Sequence, residues 1–257
     1  MPPPYRNPHW NTFAGIPYAL AGPVGFAPAQ WVATHKLANV PAGAIPLPTT
    51  QICRTTVRAI CRNPANPVLF GYVCAMAWGA QGAGLGGAGH VVKAWANHAQ
   101  IIPKLTALRR GNMTRCQAYN LFCGCGRVCG LGPAYFTKLL YFFSPTPDFY
   151  IMDQWTAKSV DLLTGNWVVR MAGNAVANYN KCGNYKAYCE EIDHIAGQLG
   201  GGITGEQVEE MLMSKGGYNP WQWRSHVRNN WPIHKPVGRY KKRSVHASYP
   251  YIPMICF

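Results

Sequence analysis

One turn and one carboxylate carry the chemistry this chain could do. The turn is Gly130-Leu131-Gly132-Pro133. Glycine tolerates positive φ and lets a second backbone come close, and proline fits the first turn of a helix, where no N–H is needed. After it, Phe136, Leu139, Leu140 and Phe143 fall at i, i+3, i+4 and i+7, one apolar stripe on a helix running to about Phe143. Ala134, Lys138 and Tyr141 fall on another face. The reading is a tight hairpin between two helices, with bare N–H groups at the start of the second that suit a phosphate. The carboxylate is Asp153, which follows the Pro-rich turn Ser144-Pro145-Thr146-Pro147. It is the natural N-cap of a helix ending near Thr164-Gly165. From there it would face the hairpin, ionised, where it could stabilise positive charge on a bound substrate.

Each of these residues also has a plainer reading. Asp153 serves equally as a cap alone, and Lys138 as a solvated helix lysine. Trp155 suits a core position or a platform for a base. Cys116, Cys123, Cys125 and Cys129 are spaced C-x6-C-x-C-x3-C, which is not a standard zinc pattern, so no metal is expected.

The elements that position the hairpin and the aspartate are helical. Residues 1–48 are rich in Pro, Gly and Ala and read as an irregular arm packed on the domain. Thr50 to Arg62 reads as a helix with Ile52, Val57 and Ile60 inward and its three arginines on other faces. Pro67 to Trp78 reads as a buried helix, and Gly79 to Gly89 as a Gly-rich loop. That loop lacks the Lys-Ser/Thr ending of a nucleotide-binding loop. Val91 to about Leu108 reads as a helix broken near Pro103, closed by Arg109-Arg110-Gly111-Asn112. Later helices span Tyr185 to Leu199 and, opening on the capping box Thr204-Gly205-Glu206-Gln207, a short run to about Gly216-Gly217. From Asn219 onward Trp221, Trp223 and Trp231 interleave with Arg224, Arg228, Lys235, Arg239, Lys241, Lys242 and Arg243. This tail suits packed aromatics with solvated charges, or a DNA-backbone contact. No convincing β-hairpin is visible. The expected fold class is all-α: an arm over 1–48, a lobe over 49–165 with hairpin and aspartate, and a lobe over 166–257 with the basic aromatic tail. The active site would lie between the lobes.

Composition narrows the partner. Hydrophobic residues make up 48% and charged ones 13%, which is globular rather than disordered. Yet 24 Lys and Arg face 9 Asp and Glu, a net charge of +15. Such a field favours a polyanion, nucleic acid before membrane. No signal peptide and no apolar run of membrane-spanning length are visible, so reduced cysteines and a cytoplasmic setting are expected.

The stretch Arg127 to Thr164 resembles the helix-hairpin-helix DNA glycosylase superfamily, in its 8-oxoguanine glycosylase-like branch. That signature is a Gly hairpin, a Gly/Pro-rich loop and an Asp, matched here by Gly130, Leu131, Gly132, Pro133, Pro145, Pro147 and Asp153. The run from Tyr185 to Gly200 looks like the closing helices of that branch. The resemblance implies an enzyme that flips a modified base out of double-stranded DNA and cleaves its N-glycosidic bond. Asp153 would be catalytic, and Gly130 to Pro133 the phosphate-binding hairpin. Ala134 stands where the branch carries its Schiff-base lysine, so direct hydrolysis to an abasic site is expected. Lys138 and Trp155 stand at base-pocket positions. Next to Asp153, the Lys138 ammonium is expected to be favoured. No cofactor is implied, a monovalent cation at the hairpin being the one ion that fits. Cys182 and Cys189 alone cannot build an iron–sulfur loop. A monomer in bacterial cytoplasm is expected, serving base excision repair or antiviral defence against phage DNA. The rival reading is a non-catalytic DNA-binding hairpin module.

Overall fold

Helices built on short apolar segments dominate the chain. The computed structural model describes residues 8–17, 24–38, 40, 46–80, 82–83, 87–213 and 222–234. Trp221, Lys235, Arg239, Lys241, Lys242, Arg243 and the Gly216-Gly217 helix end lie outside them.

Two short helices, α1 (Pro8–Ala14) and α2 (Pro28–Thr34), form within the stretch expected to be irregular. Each buries one large ring, Phe13 and Trp31, and each opens on a proline, which suits a first helical turn. α3 (Arg54–Arg62) starts later than expected, capped by Cys53. Its buried stripe is Arg54, Val57 and Cys61, so one of the three arginines points inward rather than away. α4 (Val68–Trp78) is apolar on every side and buried nearly throughout, as such a helix must be. It packs against α2 and α3.

The expected break near Pro103 falls elsewhere. α5 (Gly87–Ala96) and α6 (His98–Arg110) are separated at Asn97, and Pro103 sits inside α6. The Asn97 amide donates to the Lys93 carbonyl at 2.8 Å, which closes the last turn of α5. α5 also begins inside the Gly-rich stretch, at Gly87. α7 (Arg115–Asn120) opens on a Thr114–Gln117 capping box. The hairpin follows, and then α8 (Pro133–Phe143) with Pro133 in its first turn. α8 is buried on more than its apolar stripe: Lys138 and Tyr141 are buried too. It packs against α3, α4, α6 and α7.

α9 (Gln154–Thr164) is capped by Asp153 and ends on the left-handed Gly165. A two-stranded ribbon missed in the sequence follows, β1 (Met171–Ala172) paired antiparallel with β2 (Ala175–Val176). α10 (Cys182–Leu199) starts three residues before the expected Tyr185. α11 (Gly205–Met213) opens on the Thr204–Gln207 capping box. The basic aromatic tail contains a further helix, α12 (Gln222–His234). α9 packs against α1, α10, α11 and α12, while α10 also packs on α7. The fold is therefore all-α apart from one small ribbon, with α8 and α9 each central to its own set of neighbours.

Candidate active site

Asp153 stands where it does because the buried segment before it is anchored at several of its backbone polar groups. Phe149, Tyr150, Ile151 and Met152 are all buried. Among the described residues no strand pairs with them, and side chains take up part of their backbone hydrogen bonding. The Ile151 carbonyl accepts from Tyr188 Oη at 2.6 Å and Thr156 Oγ1 at 2.9 Å. The Tyr150 carbonyl accepts from Tyr185 Oη at 2.9 Å. The Met152 N–H donates to Thr137 Oγ1 at 3.0 Å, and that hydroxyl donates to the Pro133 carbonyl at 2.8 Å. Thr137 thus ties the start of α8 to the residue beside Asp153.

Asp153 then caps α9. Its Oδ1 accepts from the N–H groups of Trp155 at 2.7 Å and Thr156 at 3.0 Å, and its own N–H donates to Thr156 Oγ1 at 3.0 Å. One carboxylate oxygen is fixed by the cap. The other has no protein hydrogen bond among the described residues.

The hairpin is shaped by close approach. Gly130 has φ +83°, and a Cβ there would lie 2.3 Å from the His90 carbonyl oxygen and 2.7 Å from the Ala94 nitrogen. Only glycine lets α5 come this near. The N–H groups of Tyr135 and Phe136 both donate to the Gly132 carbonyl. Among the described residues, those of Gly132 and Ala134 have no protein acceptor. Two N–H groups at a helix N-terminus are thereby left for an anion. Lys93 and Arg127 stand beside them, both exposed.

These parts share one cavity of about 780 Å³, within the usual range of about 300–1,000 Å³ for ligand sites. The residues assigned in the sequence to the hairpin, the base pocket and catalysis all line it: Gly130, Leu131, Gly132, Pro133, Ala134, Lys138, Asp153 and Trp155. So do Gly79, Ala80, Tyr135, Asn174 and Arg224, to which the sequence reading gave no pocket role. Gly79 and Ala80 belong to the Gly-rich loop, which here serves as a wall. A Cβ on Gly79 would lie 2.8 Å from Lys138 Cδ, so glycine is required for the lysine to lie there. Asn174 comes from the ribbon turn, whose Gly173 has φ +60°.

The electrostatics correct one expectation. Lys138 is 7% exposed, with Nζ 3.5 Å from the Gly79 carbonyl and 4.7 Å from the Tyr135 ring centroid. Burial pulls its pKa below the ordinary lysine value, although Asp153 and Glu209 pull the other way. The nearby carboxylate therefore does not win over desolvation. Burial likewise raises Tyr135, with Asp153 adding to the rise. Trp155 is ringed by cations: Arg224 at 4.8 Å, Lys158 at 5.1 Å and Arg228 at 6.0 Å from its ring centroid. Among the described residues no group of three or more His, Cys, Asp or Glu could hold a metal ion. Among them, too, no helix is long and apolar enough to cross a membrane.

An all-α fold that sets a helix hairpin with free N–H groups beside a capping aspartate has the architecture of the helix-hairpin-helix glycosylase superfamily. Within it, residues 18–213 match the family described as "Putative 8-oxoguanine DNA glycosylase OGG-like protein", and the chain belongs to that family. No match was found among curated proteins or among solved structures.

Proposed function

We propose that this chain is a monofunctional DNA glycosylase that flips a modified base out of double-stranded DNA and hydrolyses its N-glycosidic bond. The observation that carries the reading is the second oxygen of Asp153, without a protein hydrogen bond among the described residues, in the same cavity as the open hairpin N–H groups. A phosphate on the hairpin sets a flanking nucleotide in register. Breaking the N-glycosidic bond develops positive charge on the deoxyribose, and the fixed Asp153 carboxylate stabilises it and orients a water for attack. The bonding electrons leave with the base, the water oxygen ends on the sugar as an abasic site, and the proton that water gives up passes through the Asp153 carboxylate to the departing base. Ala134 carries no amine, which supports hydrolysis over a Schiff base. A monovalent cation at the hairpin is compatible with this scheme, and no other cofactor is required by it.

The family description makes 8-oxoguanine the first base to test. A buried lysine and a cation-ringed tryptophan at the cavity support a bulkier or more polar substituent, such as the sugar of glucosylated hydroxymethylcytosine in phage DNA. The biological role would then be antiviral defence in a bacterium, and with 8-oxoguanine it would be DNA repair.

Asp153→Asn is the test. Asparagine Oδ1 still accepts the two α9 N–H bonds, so the fold is preserved. Base release should fall by about a hundredfold or more, while affinity for duplex DNA stays within about threefold, under 1 kcal/mol. Excision at the wild-type rate in this variant would leave only a DNA-binding hairpin or a different catalytic group.

A further inference from the structure

The hairpin and Asp153 account for part of the cavity lining. Arg224 of α12 also lines it, 9% exposed and with no role in that arrangement. One guanidinium nitrogen, Nη2, donates to the Met213 carbonyl. Nε is sealed from solvent with no acceptor. The third, Nη1, is neither sealed nor hydrogen-bonded among the described residues. No carboxylate forms an ion pair with Arg224 among the described residues. Its guanidinium carbon lies 4.8 Å from the Trp155 ring centroid, which holds the planar group in place. Nη1 is therefore the donor that this guanidinium can offer to an acceptor on a ligand.

The second cationic donor at the cavity is Lys138, whose Nζ has one long contact to the Gly79 carbonyl. Arginine and lysine only donate. Two such donors, within electrostatic range of Asp153, define what can occupy the space between them. We propose that Arg224 is a specificity-determining residue that donates to an oxygen of an exocyclic group on the extruded base, with Lys138 as the second donor. The substrate class is a base bearing an oxo, alkoxy or polyhydroxyl substituent that the unmodified base lacks, as opposed to an alkyl one. This inference rests on the glycosylase reading, because that reading places the sugar at Asp153 and the base beyond it. It also gives Trp155 a different task from stacking on the base: it positions Arg224.

The test uses the full chain carrying Asp153→Asn, so that binding is measured without turnover. Four duplexes are compared: unmodified, 8-oxoguanine, glucosylated 5-hydroxymethylcytosine, and a tetrahydrofuran abasic analogue. At least one modified duplex should bind about tenfold or more tighter than the unmodified one, the size of one charge-assisted hydrogen bond. Adding Arg224→Met should collapse that preference to about twofold or less, with affinity for the tetrahydrofuran duplex changed by no more than about threefold. Arg224→Lys keeps the charge and the stem but not the planar fork, and should lose most of the preference too. It serves if the methionine variant does not fold. A preference retained in the arginine variants overturns the proposal. So does an equal loss on the tetrahydrofuran duplex, which would make Arg224 a backbone contact. Absence of any preference in the Asp153→Asn chain also overturns it. In that case base release by the chain with Asp153 intact shows whether the glycosylase reading stands by itself.

Discussion

Lys138 is the residue on which the mechanism turns. Its type and spacing are legible in the sequence, because it lies one helical turn after Ala134. Its ionisation is not, since a nearby carboxylate and burial act in opposite directions and only the fold sets their balance. Burial prevails, and it holds the lysine below its ordinary pKa although Asp153 and Glu209 act the other way. An unprotonated amine can attack a sugar C1′, which makes borohydride trapping the decisive measurement. The expected result is no covalent enzyme–DNA adduct, and a product strand cut only after alkali. Position 134 has no amine, and the Lys138 amine is held at the Gly79 carbonyl beside the Tyr135 ring. An adduct that vanishes in Lys138→Ala would make Lys138 the nucleophile and the enzyme a lyase. Arg224 illustrates the opposite limit. It was one basic residue among many in the tail, and nothing in its neighbours showed that it turns inward to the cavity.

Among the elements, those bounded by strong local signals were legible and those defined by tertiary contacts were not. Pro133, the Asp153 cap and Gly165 fixed both ends of α9 and the start of α8. The ribbon and α12 left signals that composition hid. Gly173-Asn174 is a hairpin turn dipeptide, and Trp223, Val227 and Trp231, all buried, recur at i, i+4 and i+8. The bracing of the Phe149–Met152 segment was not legible, because most of its hydrogen bonds come from side chains far along the chain, Thr137, Tyr185 and Tyr188. It also supplies the test at this scale. Thr137→Val keeps the shape and removes the acceptor for the Met152 N–H, at a cost of about 1–3 kcal/mol for a buried unpaired donor. Urea unfolding measures that loss. Because Met152 adjoins Asp153, the excision rate should fall as well, with DNA affinity unchanged, and Thr137→Ser should restore both. Wild-type stability in the valine variant would show that Thr137 does not brace the segment.

At the scale of the whole molecule, the charge excess has a placement as well as a size. Several of the few acids are taken up by arginines of the fold: Glu209 by Arg54, Glu206 by Arg58 and Asp193 by Arg115. The first of these pairs is buried, where removing either partner would leave an uncompensated charge. Acids used in this way do not pair with the exposed basic side chains beside the hairpin. Lys93 and Arg127 beside the hairpin are exposed and have no ion-pair partner among the described residues. Displacing counterions from DNA by such groups makes affinity fall with salt, with a log–log slope of about −0.9 per phosphate neutralised. A slope steeper than about −3 is expected for unmodified duplex, since the net charge of +15 exceeds what the hairpin contacts alone would use. Fluorescence anisotropy across a salt series measures it. Lys93→Ala and Arg127→Ala should each make the slope shallower by about 1, without changing the preference among bases, because a phosphate contact carries no sequence information. A slope near zero would remove nucleic acid as the partner. A normal slope unaffected by either substitution would move the phosphate contacts away from the hairpin, and with them the register that puts a nucleotide at Asp153.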